Sequence, residues 1–331
     1  ISSGLGRRAM AGTALYCAAK AGMDHASRCV ALDEARKAEE AEQARAREES
    51  RARLGSADIV LTNKAVLGAE EMEAAPRLKL IQVVATGVNN IDLEAARSRG
   101  LAVCNVSGYG TEAVAQHVFA SLLNLVTNVH RFAAEPGAWA RSSIFTRLDS
   151  PVTELAGKIL GVVGLGSIGR SVARIGAAFG MQVVGYARGA TDAGGEFPRL
   201  GPDDFFATCD AITLHCPLTP ETRHFINAAT LAKMKPGAVL INTGRGDLVH
   251  EADLVSALRS RTLRAAAVDV LTPEPPPPDH PFLAAVAAGL DNLFITPHTA
   301  WSALEARQRL IDGVVGNIEA FRRGERVNRV D

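Results

Sequence analysis

Aromatic side chains are scarce in this sequence, 5% of 331 residues, and neither sign of charge predominates, 36 Lys and Arg against 36 Asp and Glu. A chain built to hold a phosphate backbone or an anionic membrane carries a basic excess, often interleaved with aromatics, so neither nucleic acid nor a membrane is expected as a partner. Long hydrophobic runs are missing too: charged or turn residues interrupt each one before membrane-spanning length, and Met10 is not followed by the apolar core of a secretory leader. Cysteine is sparse. Cys17, Cys29, Cys104, Cys209 and Cys216 are scattered, odd in number and without CxxC spacing, so no structural zinc or other metal is expected and a reducing, cytoplasmic compartment is the default.

With 47% hydrophobic and 22% charged residues, the chain has enough apolar material for two compact domains. From Asp58 onward, short β-branched runs alternate with helical stretches, the pattern of parallel sheets covered by helices on both faces. The runs are 58–61, 80–84, 101–104, 159–163, 181–184, 211–214, 238–241, 265–268 and 293–295; nine strands exceed one small sheet and predict two doubly wound α/β domains. The second opens on a long helix over 112–130, where Val114, Val118, Leu122, Leu125 and Val129 recur every three or four residues and Thr111 stands at the N-cap. Periodicity lapses between His130 and Pro151, around Pro136, Gly137, Trp139 and Phe145; a surface loop and an arm over a second subunit both fit. Pro275 to Pro278 form a loop, since each proline lacks a backbone donor. A last helix is predicted from Ser302 to Arg322.

The most informative local signal is Gly164-Leu165-Gly166-Ser167-Ile168-Gly169, placed between an apolar strand and a helix carrying Val172, Ile175 and Phe179. Gly164 permits the tight turn, Gly166 lets a pyrophosphate approach the backbone, and Gly169 allows the helix to pack on the sheet. The helix N-terminus then presents amides and positive dipole to the phosphates. An NAD site has an acidic residue at the end of the next strand, to hold the ribose 2′-hydroxyl. Here Ala187 and Arg188 stand there instead. Arg188 can pair with a 2′-phosphate, which points to NADP(H) within NAD(P); a solvated surface arginine is the alternative.

Reducing a 2-keto acid needs a cation for the carboxylate, a proton donor at the carbonyl oxygen and a cofactor ring beside the carbonyl carbon. Arg245, Glu274 and His298 each follow a predicted strand, at the end where doubly wound sheets bind ligands. His298 is assigned as general acid in reduction, Glu274 as the carboxylate that stabilises its protonated imidazole and fixes its tautomer, and Arg245 as the carboxylate anchor. Taken singly, a lone histidine is more often structural, and an arginine can be a surface cation.

Asn242-Thr243-Gly244-Arg245-Gly246, Asp269 to Pro275 and Pro297-His298, in that order and spacing, resemble the motifs of the D-isomer-specific 2-hydroxyacid dehydrogenases, over residues 54–331. The branch they resemble is that of glycerate dehydrogenase and hydroxypyruvate reductase. The resemblance implies a Rossmann nucleotide-binding domain over 106–296, and a discontinuous, flavodoxin-like substrate domain made of 54–105 and 297–331. It implies that Thr86, Gly87 and Val88 give backbone donors to the substrate carboxylate, Gly87 because a missing side chain admits close approach. It also implies a dinucleotide lined by Thr111, Gly164, Gly166, Ser167, Ile168, Gly169, Ala187, Arg188, His215, Cys216, Pro217, Thr219, Thr243, Gly244, Arg245, Asp269 and His298. Trp301 resembles the aromatic of the hydroxypyruvate branch, which restricts the pocket to short substrates; core packing serves equally well. The implied reaction is reduction of hydroxypyruvate or glyoxylate to D-glycerate or glycolate by a homodimer. Two departures are Gln116, where the family usually has glutamate, and Ala187, where it usually has aspartate.

The start departs further. In place of the family's first strand, helix and strand, residues 1–53 form an atypical segment. Its Ser3, Tyr16 and Lys20 resemble the active-site segment of short-chain dehydrogenases, with Tyr16 and Lys20 on one helix face. With no strand and glycine-rich turn before them, a second active site is not expected. Residues 35–53, dense in Ala, Glu, Arg and Lys, read as an exposed helix or linker. The competing functional reading is a dinucleotide-sensing binding protein whose catalysis is impaired: the unusual start favours it, the intact trio opposes it.

Overall fold

A computed structural model of the chain describes residues 54–189 and 195–331. The readings for Ser3, Tyr16, Lys20 and 35–53 lie outside them. The chain divides into two compact units, one running to Ser107 and resuming over Leu310–Asp331, the other Gly108–Arg309. The second boundary was expected at residue 297. It falls at 310 because residues 296–300 are bonded to Asp269: Thr299 N and Ala300 N donate to its carboxylate, and His298 N donates to its carbonyl.

In the first unit, β1 (Ile59–Thr62), α1 (Ala69–Glu73), β2 (Leu80–Val83), α2 (Leu93–Ser98) and β3 (Ala102–Cys104) follow one another, and the described strands pair in parallel in the order β1-β2-β3. Successive strand side chains point to opposite faces. Ile81, Val83 and Val103 therefore pack with Met72, Ala75 and Ala96 of α1, α2 and the turn between them, whereas Leu80, Ala102 and Cys104 meet Ile318 and Phe321 of the last helix, Leu304–Arg322. That helix starts two residues later than expected, because Ser302 is held in a turn on Thr299 O through its N–H and its hydroxyl.

The second unit opens on α3 (Thr111–Thr127), followed by α4 (Val129–Ala134) and α5 (Pro136–Ala140). Two expectations are corrected here. The N-cap is Gly110, not Thr111, and a Cβ at Gly110 would touch Trp301 Cβ at 3.6 Å. The helix stops at Asn128, whose left-handed φ of 54° breaks the periodicity that seemed to run to His130. The chain continues through β4 (Ile159–Val163), α6 (Ser167–Ala178), β5 (Gln182–Tyr186), β6 (Arg199–Leu200), α7 (Pro202–Thr208), β7 (Ala211–Leu214), α8 (Ala228–Lys233), β8 (Val239–Asn242), α9 (Glu251–Arg259), β9 (Ala265–Val268), α10 (Pro281–Ala287) and β10 (Leu293–Ile295). All neighbours are parallel, in the order β10-β9-β8-β7-β4-β5-β6. β6, two residues long, is too short to leave a periodic trace in the sequence.

Strand order reverses at β4, so the sheet is doubly wound with its switch point between β4 and β7. Helices cover both faces. Phe119, Leu122 and Leu125 of α3 pack with Val172 of α6 on Leu160, Val162, Val239 and Ile241. On the other face, Phe205, Phe206, Leu231, Leu254, Leu258 and Phe282 cover Ile212, Leu214, Leu240 and Ala266. This near-continuous hydrophobic strand content is what a sheet buried on both sides requires.

Candidate active site

At the switch point the glycines have the geometry the motif needs. Gly164 has φ +97°, open to residues without a Cβ, and a Cβ there would lie 2.7 Å from Cys216 N and His215 C, so the loops after β4 and β7 meet at it. A Cβ at Gly169 would run into Gly164 O, while beside Gly166, the N-cap of α6, nothing lies within 4 Å. The resulting cradle has bare backbone at a helix N-terminus and open space in front, which suits a pyrophosphate. Thr243 Oγ1, buried at the end of β8, has no partner among the described residues. Ser167 and Thr111 line a recess of about 560 Å³ with Arg170.

A second cavity, of about 600 Å³, opens beyond β5 and is lined by Gly164, Tyr186, Ala187, Arg188, Cys216, Pro217 and Phe225. Arg199 lines it as well. Sequence reasoning missed this arginine because only the β5–β6 pairing brings it beside Arg188. Gly185 makes the room: a Cβ there would sit 3.1 Å from Arg199 Cγ. Two guanidiniums thus share a cavity where an NAD site has one carboxylate. Glu221 is on the same wall, held ionised below the usual carboxylate range first by Thr219 and further by Arg188. Thr219 is engaged within its own turn, its N–H donating to Thr222 Oγ1 at 2.7 Å. His215 N donates to Val163 O, and its Nε2 is 2.9 Å from Thr213 Oγ1; burial pushes its pKa down to about 4, so the ring is neutral near pH 7.

Further along the same strand edge, the turn after β8 carries Arg245. The buried Asn242 shapes it, accepting from Gly244 N at 3.0 Å and donating to Arg245 O at 2.8 Å. Glu274, beyond β9, turns back to accept from Leu271 N at 3.0 Å and brings Oε2 to 2.6 Å from His298 Nδ1. Both side chains are about a quarter exposed, 26% and 28%. With Nδ1 committed to the carboxylate, Nε2 is the atom left to exchange a proton. His298 has φ +54°, an uncommon conformation for a residue with a side chain. Asp269 enforces it. Its carboxylate is 2% exposed and takes up the N–H groups of Thr299 and Ala300 and the hydroxyl of Thr296, 2.5 Å away, so it faces the His298 loop.

Two residues not singled out from the sequence join this edge. Tyr109 meets Trp301 edge-on with ring centroids 6.3 Å apart; burial raises its pKa, and the nearby Arg245 charge opposes the rise. His117 reaches Thr296 Oγ1 at 3.1 Å from α3. Neither residue lies in a strand-end motif, and only packing brings them in.

Thr86, Gly87 and Val88 belong to the first unit, at the C-terminal end of β2. Among the described residues their N–H groups have no backbone acceptor. Asn105 Nδ2 holds Thr86 O at 2.7 Å, and Asn105 O in turn accepts from the buried Asn317 at 2.8 Å. Among the described residues no group of three His, Cys, Asp or Glu side chains is placed to hold a metal ion, and no helix is long and apolar enough to cross a membrane.

A dinucleotide cradle on the same strand edge as a carboxylate-backed imidazole defines the class: a nicotinamide-dependent dehydrogenase. The model of the NAD-binding domain of D-isomer-specific 2-hydroxyacid dehydrogenases matches residues 119–300, more than half of the chain. A hydroxypyruvate reductase from Blautia hydrogenotrophica is 38% identical over 284 residues, covering 85% of this chain and 87% of that protein. A glycerate dehydrogenase from Methylorubrum extorquens is 39% identical over 284 residues, covering 84% and 87%. The crystal structure of D-lactate dehydrogenase from Aquifex aeolicus, complexed with NAD and lactic acid, superposes with a TM-score of 0.74 at 30% identity, covering 83% of this chain and 86% of that one. The chain belongs to the D-isomer-specific 2-hydroxyacid dehydrogenase family.

Proposed function

We propose that this enzyme reduces a short 2-keto acid, hydroxypyruvate or glyoxylate, to D-glycerate or glycolate, and that it takes NADPH in preference to NADH. The observation that carries the reading is the 2.6 Å contact between His298 Nδ1 and Glu274 Oε2, which leaves Nε2 free for a carbonyl oxygen. Bound in the cradle, the reduced nicotinamide supplies a hydride. His298 Nε2 gives the proton to the carbonyl oxygen, Glu274 stabilises the imidazolium before transfer, and Arg245 holds the substrate carboxylate. Trp301, against Tyr109, keeps the substrate side chain short. Preference for NADPH rests on Arg188 and Arg199 lining one cavity, with Ala187 and Arg188 following β5 where an NAD site has its acid.

The enzyme works as a homodimer in this reading, supported by the apolar side chains that residues 129–152 expose, among them Phe145 at 91% and Leu148 at 77%. A purely dinucleotide-sensing protein would leave the Glu274–His298 pair without a task. Steady-state turnover of a panel of short 2-keto acids with NADPH and NADH tests the proposal. Hydroxypyruvate or glyoxylate should give the highest kcat/KM, with NADPH ahead. A bulky 2-keto acid as best substrate, or a strong NADH preference, removes the corresponding half of the reading.

A further inference from the structure

The strap from Leu271 to His280 carries Glu274, and five prolines leave it few backbone donors of its own. Its position is fixed from outside, by the segment that follows Arg245. Gly246 backs directly onto the strap: a Cβ there would collide with the Leu271 carbonyl, 2.6 Å from its oxygen, and lie 2.5 Å from Thr272 Oγ1. Five residues on, Glu251 opens α9. Its carboxylate lies near the backbone of Thr272, at the start of the strap, which favours its ionised form. The same carboxylate has Oε1 2.9 Å from Nε2 of His280, at the strap's end. His280 is fixed in turn. Its Nδ1 accepts from Phe282 N at 3.3 Å as the N-cap of α10, its own N–H donates to Pro277 O at 3.0 Å, and its side chain is 1% exposed. With Nδ1 accepting, the ring proton sits on Nε2, which lies against the Glu251 carboxylate as an ion-pair contact and has no in-line hydrogen-bond acceptor among the described residues.

We infer that Glu251, with His280, is a positioning residue for the reaction: one carboxylate pairs with the imidazole at the end of the strap, while Gly246 on the same segment backs onto its start, and together they hold Glu274 in line with His298. The inference rests on the role proposed for Glu274. Burial works against ionisation of Glu251, and the neighbouring imidazole works for it. A carboxylate kept in such a place and paired with the end of the loop constrains that loop more than an apolar side chain can. The segments bearing Arg245 and Glu274 are thereby joined at two places, by the close approach at Gly246 and by the Glu251–His280 ion pair.

The test is a double-mutant cycle on kcat, with the 2-keto acid that the substrate panel selects. Glu251→Gln keeps the shape but removes the charge that faces the His280 imidazole. It should lower kcat about tenfold, the scale of one charge-assisted hydrogen bond, with KM and the dinucleotide Kd unchanged. In the Glu274→Gln background the same substitution should cost less than twofold, because the carboxylate it positions is already gone. His280→Gln, the second variant, keeps an amide facing Glu251 and should show a smaller loss with the same non-additivity. Equal losses in both backgrounds would mean that Glu251 merely supports the fold, and no loss of kcat alongside a lowered melting temperature would mean the same; either overturns the inference while the role of Glu274 stands. If Glu274→Gln alone leaves kcat unchanged, the catalytic reading itself fails and takes the inference with it.

Discussion

Replacing Glu274 by glutamine removes one charge and almost no volume. Glutamine cannot serve both contacts that glutamate makes, the acceptance from Leu271 N and the contact with His298 Nδ1. If its oxygen stays on Leu271, its amide N–H groups face Nδ1 and disfavour the imidazolium. If it flips, a backbone donor loses its acceptor. Unit charges about 4 Å apart attract by about 4 kcal/mol at an effective dielectric of about 20. Side chains 26% and 28% exposed let water screen part of that. What survives is the value of a hydrogen bond to a charged group, about 1.5–3 kcal/mol, or roughly 10- to 150-fold in rate. The assay is kcat/KM for reduction from pH 5 to 9, with a deuterated dinucleotide to show that hydride transfer limits the rate. Glu274→Gln should fall by that factor near neutrality. A variant within threefold of wild type across the range, with the isotope effect expressed, refutes the carboxylate–imidazole reasoning.

Other consequences are open to direct measurement. Arg188→Ala and Arg199→Ala should each lower kcat/KM for NADPH about tenfold and leave NADH nearly untouched, as expected of partly solvated charge-assisted contacts; equal losses with both dinucleotides would rule out contact with a 2′-phosphate. Gly246→Ala forces a Cβ against the Leu271–Thr272 backbone, and should cost about 1–3 kcal/mol of stability by urea unfolding together with a clear loss of kcat, since the displaced strap carries Glu274; wild-type values for both would show that the strap yields freely. His215 links stability to pH. Folded, it stays neutral down to about pH 4, whereas the unfolded ring takes its proton near the ordinary value of 6.5. The unfolded state therefore binds the extra proton between those values, and stability present above pH 6.5 drains away as pH falls towards 4, by about 3 kcal/mol in all. His215→Gln should flatten that slope in urea unfolding at pH 4.5, 5.5 and 7; an unchanged slope would assign the loss to other groups.

The strands and the glycine-rich turn were legible in the sequence because their signals are local. A parallel strand buried on both faces reads as an apolar run, and Gly164 and Gly169 are needed for backbone approaches that any other residue would block. Arg245, Glu274 and His298 were singled out for a related reason: each stands past a strand, and their motifs resemble the family's in order and spacing. Where a local signal was weak, the reading slipped. Thr111 looked like a cap although Gly110 takes that place, and the two-residue β6 left no period at all.

What the sequence alone determined is the set of groups and the strand end each occupies. Which groups meet was decided only by the tertiary structure. Arg199 joins Arg188 because β6 pairs with β5; Tyr109 joins Trp301 because the start of α3 packs beside residue 301; and Glu251 joins Thr272 and His280 because α9 opens beside the strap. These partners lie from 11 to 192 residues apart in the chain. Periodicity and motif spacing report a residue's own element, whereas contact between elements depends on strand order and helix packing, which no local pattern encodes.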